Sequence, residues 1–64
     1  MNTFHVGQMT KTRIYTLRGD GDRYAYGIIL QLRNKTGIAL IDYLPLENME
    51  RAWVAFDALT PVEV

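Results

Sequence analysis

The side chains best suited to covalent chemistry are scarce in this sequence. There is no Cys and no Ser, and His5 is the single histidine. Nucleophilic catalysis needs an activated nucleophile beside a base, and acid–base catalysis needs titratable groups that converge. His5 stands near the start of the chain, in the segment most prone to fray. One His cannot make a zinc site without carboxylate help. Asp20 and Asp22, in the run Gly19-Asp20-Gly21-Asp22, resemble a fragment of a calcium loop, but no glutamate follows at the required distance. The expectation is no enzyme, no metal site and no cofactor.

The residues suited to binding are more abundant. Seven aromatics are present, among them Tyr15, Tyr24, Tyr26, Tyr43 and Trp53. Aromatics and arginines dominate binding energy where interfaces have been scanned. The partner-binding set expected on those grounds is Arg13, Tyr15, Arg23, Tyr24, Arg33, Tyr43 and Trp53. Lys11, Arg13, Arg18, Arg23, Arg33 and Lys35 also suggest a basic band interleaved with tyrosines, the combination that single-stranded nucleic acid stacks on. The net charge of zero argues against a dedicated nucleic-acid binder. The charge is unevenly spread, however. Residues 1–35 carry six cations against two anions, and residues 36–64 carry one against five. The halves are thus +4 and −4, which suits a dipolar surface meeting a charged partner or a second copy.

These residues must be held by strands. Residues 23–33 alternate cleanly, with Tyr24, Tyr26, Ile28, Leu30 and Leu32 on one side and Ala25, Gly27, Ile29, Gln31 and Arg33 on the other. The first set reads as barrel wall. Gly27 in mid-strand marks a bend or a close backbone approach. Residues 9–17 are rich in Thr, Ile and Tyr and read as an earlier strand. A bulge near Lys11–Arg13 would bring Met9 and Ile14 to one side. Between the two strands, residues 18–22 hold paired glycines and aspartates, which is turn chemistry. The Arg18-Gly19-Asp20 triplet is read the same way, not as an adhesion signal. Residues 34–37 make the next turn. Residues 37–44 form a strand apolar on both faces apart from Asp42, so one face lines the core and the other is covered, plausibly by another subunit. Residues 45–50 and 57–59 suggest short helical turns, residues 51–56 a fourth strand, and residues 60–64 a last one.

Sixty-four residues make a single domain, 1–64. A chain this short buries only about 60% of its unfolded surface, so its core is marginal. Such domains lean on disulfides, a metal or association. With the first two disfavoured, a homodimer or higher oligomer is expected. Apolar residues make up 48% of the chain, ample for a folded core. No signal-like start or membrane-length apolar run is visible, so Met1 reads as a natural start and the cytoplasm is the expected location.

The order of these signals resembles an SH3-like barrel. Phe4-His5-Val6-Gly7 matches the way such domains often begin. Gly27-Ile28-Ile29-Leu30 matches a strand opening on glycine, and Ala39-Leu40-Ile41 the apolar strand after it. Trp53-Val54 through Leu59-Thr60-Pro61-Val62 matches their Trp-Val strand, helical turn and Leu-x-Pro-Val ending. The resemblance spans nearly the whole chain and implies an all-β, small five-stranded SH3-like barrel with one short helical turn. That class hosts many functions. The unusual reductase among its members carries a Val-Gln-Ile-Tyr motif, where this chain has Ala52-Trp53-Val54-Ala55-Phe56. The expected function is a non-catalytic interaction or regulatory module that binds a protein partner, of the kind found among phage and plasmid accessory proteins. The alternative is an RNA- or DNA-binding barrel that uses the basic and aromatic face of its first two strands. Any partner is expected to meet the basic side of residues 18–33 or the apolar back of residues 37–44.

Overall fold

The computed structural model describes residues 4–14 and 23–62. The turn read at residues 18–22, the end of the first strand at 15–17 and Tyr15 lie outside them. Within the described residues the fold is all-β, with five antiparallel strands: β1 (Met9–Ile14), β2 (Arg23–Arg33), β3 (Ile38–Tyr43), β4 (Ala52–Ala55) and β5 (Leu59–Pro61). They form one curled sheet in the order β4-β3-β2-β1-β5. Two 3₁₀ turns, Pro45–Glu47 and Phe56–Ala58, punctuate the second half, close to the two segments whose residues suggest helical turns; the resemblance implied one. Among the described residues no helix is long and apolar enough to cross a membrane.

Chain-local chemistry explains the connections. The β2–β3 hairpin closes over residues 34–37, with the Gly37 N–H donating to the Arg33 carbonyl at 2.9 Å. Gly37 takes φ +70°, a conformation that L side chains rarely adopt. Pro45 opens the first 3₁₀ turn with its fixed φ, where its missing N–H is not needed. At the start of the chain, Gly7 has φ +88° and sits third in a turn closed by Gln8 N–H to the His5 carbonyl. Gly7 N–H then donates to the Ile29 carbonyl, and Ile29 N–H donates to the Gln8 carbonyl. Two residues thus oppose one, a glycine bulge that leads residues 4–6 back across the sheet.

The core lies on one face of the sheet. Ala25, Ile29, Ala39, Ile41, Tyr43 and Leu59 are buried there, and Phe4, Ile14, Leu32, Val54 and Phe56 pack against them. Phe4 and Phe56 meet with ring centroids 5.2 Å apart, so the chain start and the second 3₁₀ turn close one side together. Thr10 and Thr12 are buried on the same face of β1.

Two expectations do not hold. β1 pairs with β2 without a shift from Met9↔Ile28 to Ile14↔Arg23, so Met9 and Ile14 face opposite ways. The bulge lies in β2 instead, where the β2–β3 register jumps between Ile29 and Gln31. Finally, the inward track of β2 is Ala25-Gly27-Ile29, resuming at Leu32 beyond the bulge. Tyr24, Tyr26, Ile28 and Leu30 point outward and do not line the core. The reason is distance. β2 and β3 approach so closely at Gly27 that a Cβ there would lie 2.6 Å from Ile41 Cγ2 and 2.9 Å from the Asp42 carbonyl oxygen. At this point of the inward track only a residue without a side chain fits, which turns Tyr26 and Ile28 outward.

Candidate functional site

The face opposite the core gathers most of the residues with binding potential. Period-2 alternation from β1 puts Met9, Lys11 and Arg13 there. β2 adds Tyr24, Tyr26, Ile28 and Leu30, and beyond its bulge Arg33. β3 adds Ile38, Leu40 and Asp42, and β4 adds Trp53. The middle of this face is apolar: Ile28, Leu30, Ile38 and Leu40 are half-buried beneath their neighbours. Trp53 and Tyr26 are 41% and 40% exposed, large fractions for such bulky side chains.

Two cation–ring contacts flank that apolar middle. Lys11 Nζ lies 4.6 Å from the Tyr24 ring centroid. Lys11 is paired with Tyr26 and Arg13 with Tyr24. Lys11 therefore reaches Tyr24 along the diagonal, within the range of a long side chain. At the other end the Arg33 guanidinium lies 4.6 Å from the Trp53 ring centroid. Arg33 pairs with Ile38 and Trp53 with Leu40, so the arginine reaches across β3 to the tryptophan. Each contact contributes about 0.5–1 kcal/mol at an exposed site.

The border by the first 3₁₀ turn is acidic. The Glu47 carboxylate accepts the Tyr26 backbone N–H at 2.6 Å, and Leu44 N–H donates to the Tyr26 carbonyl at 2.9 Å. The turn is thereby tied to β2 where the β3 ladder ends. Asp42 accepts from Arg51 Nε at 3.4 Å in an exposed pair, a type that adds little stability. Leu46, at the tip of the turn, is 91% exposed.

Of the residues expected to bind a partner, Arg13, Tyr24, Arg33 and Trp53 share this outer face. Arg23 opens β2 on the inward track and is exposed at the rim, away from the other four. Tyr43 is a core residue, 8% exposed, with its hydroxyl 3.4 Å from Thr12 Oγ1, so it has little to offer a partner. Tyr15 falls outside the described residues. Sequence reasoning missed the outward placement of Tyr26, Ile28 and Leu30. Both tracks of β2 are apolar, and only the small residues at Ala25 and Gly27 mark which one turns inward. It did expect one apolar face of residues 37–44 to lie outside the core, and the structure shows that this is the face of Ile38 and Leu40.

Among the described residues no three His, Asp or Glu side chains are grouped to hold a metal ion. What this face offers is a broad apolar strip edged by held cations at both ends and by carboxylates along one side. Comparison of the chain with protein-family models, with curated proteins and with solved structures finds no match.

Proposed function

We propose that this chain is a non-catalytic interaction module on an SH3-like barrel, acting in the cytoplasm and docking a protein partner on its outer sheet face. The observation that carries this reading is the apolar strip between the Lys11–Tyr24 and Arg33–Trp53 pairs, with Trp53 and Tyr26 substantially exposed. An exposed aromatic held by an arginine is the composition of an interface anchor, because little side-chain freedom remains to be lost on binding. The SH3-like assignment is supported by five antiparallel strands, with a 3₁₀ turn between β4 and β5 where the Trp-Val and Leu-x-Pro-Val segments fall. A protein partner is favoured over nucleic acid because Asp42 and Glu47 border the strip, where a phosphate backbone would be repelled.

The test compares the parent chain with Trp53→Ala and Tyr26→Ala. Both side chains lie outside the core, so both variants should melt within a few degrees of the parent. Affinity capture followed by mass spectrometry should recover a protein with the parent that both variants lose. Labelled single-stranded and duplex nucleic acid are titrated in parallel at low and moderate salt. Tight, salt-sensitive nucleic-acid binding that the Trp53 and Tyr26 changes abolish would replace the protein-partner reading.

A further inference from the structure

We propose that the outer faces of two copies of this chain pack on each other as a two-fold dimer, an inference that rests on reading that face as a docking surface. Among the described residues the buried apolar core is small: two alanines, two isoleucines, one leucine and one tyrosine. A domain of this size with no disulfide usually draws the missing stability from a metal or from association. A second layer of apolar residues, centred on Ile28, Leu30 and Leu40, lies ready on the other side of the same sheet. Two such sheets stacked about 10 Å apart would make that layer a second core. The chain measures 33 × 23 × 22 Å, large enough to offer the roughly 800 Å² per partner of a standard interface.

Charge identifies the occupant as a second copy and fixes its orientation. The β1 border of the face carries Lys11 and Arg13. The end of β3 and the following turn carry Asp42 and Glu47, with Arg51 beside Asp42. Asp42 remains 47% exposed despite its contact with Arg51. A two-fold axis lying between the sheets and running along the strands sets β1 of each copy over β3 of the other. Lys11 is level with Tyr26, which is bonded to Leu44 and Glu47, and Asp42 is level with Ile28, the next outward position of β2, so Lys11 meets the partner copy's Asp42 on the diagonal. Each basic border therefore faces the partner copy's acidic one, twice over. An axis across the strands would lay β1 over β1, which gathers Lys11 and Arg13 of both copies on one side. The first arrangement is self-complementary and closed.

Analytical ultracentrifugation from micromolar to near-millimolar concentration tests this, with Lys11→Glu and Asp42→Lys as variants. The parent should sediment as a dimer. Each charge reversal makes two repulsive contacts per dimer and should weaken association by at least about tenfold. An equimolar mixture of the two variants should regain parental affinity, because the mixed dimer pairs Glu with Lys at one contact and Lys with Asp at the other. A structural disturbance at either position would not be repaired by mixing. A parent that stays monomeric throughout, or a dimer indifferent to both reversals, overturns the proposal. A monomer that still captures a different protein through Trp53 overturns the dimer and leaves the interaction-module reading intact.

Discussion

Gly27 and Thr10 are opposite cases on the same sheet face: one has no room to spare, the other an unmet need. A methyl group at Gly27 would meet Ile41 Cγ2, the Asp42 carbonyl and Tyr43 Cα within 2.6–3.0 Å, and two of those atoms are backbone. Overpacking typically costs 1–3 kcal/mol, and rigid backbone neighbours push toward the upper end. A chain of this length has about 3–10 kcal/mol of stability in all. Gly27→Ala should therefore lose roughly 2–3 kcal/mol in urea unfolding, and a variant as stable as the parent would contradict the close approach. Thr10 is fully buried and its Oγ1 has no hydrogen-bond partner. Thr10→Val keeps the branched shape and removes the unpaired hydroxyl. It should stabilise by about 1 kcal/mol, a rise of about 4–8 °C in Tm. A lower Tm would show that the hydroxyl is satisfied in solution.

At the scale of elements, the first 3₁₀ turn is a side-chain substitute for a strand. The β3 ladder stops at Tyr43, and Glu47 satisfies the Tyr26 N–H beyond it. Glu47→Ala should cost about 1–2 kcal/mol and speed hydrogen exchange at the Tyr26 amide. Glu47→Gln, which keeps an acceptor, should restore most of the protection. Unchanged exchange in the Ala variant would mean that water serves Tyr26 equally well. The elements themselves were largely legible in the sequence. Period-2 alternation located β2, an apolar run located β3, and the turn at residues 34–37 and Pro45 marked their ends. The inward faces were harder to read. Alternation identifies two tracks but not which one is buried when both are apolar, as in β2. The displaced bulge and the burial of Thr10 and Thr12 follow from strand pairing, which no local pattern encodes. For the site, residue type alone singled out Arg13, Tyr24, Arg33 and Trp53. The contact between Arg33 and Trp53 spans an intervening strand and needed the sheet order to be seen.

For the whole molecule, part of the uneven charge, Lys11 and Arg13 against Asp42 and Glu47, falls on opposite sides of one sheet face. If two copies meet there, stability is linked to concentration by mass action. The parent's Tm should climb with protein concentration, while that of Lys11→Glu should stay nearly flat. Parallel curves for the two would separate folding from association and count against the dimer. The neutral total helps here as well, since two copies approach without the repulsion that a large net charge would impose.

The absence of a side chain at residue 27 also decides which alignment of β2 on β3 is allowed. Both tracks of β2 are apolar, so hydrophobicity alone would tolerate a slip by one residue, which exchanges inside for outside along the strand. After such a slip Tyr26 or Ile28 would stand where Gly27 stands, and neither can bring a Cβ into a space that closes to 2.6 Å. A missing methyl group thus works as the key that rejects the misaligned hairpin, and it keeps Tyr26 and Ile28 on the surface.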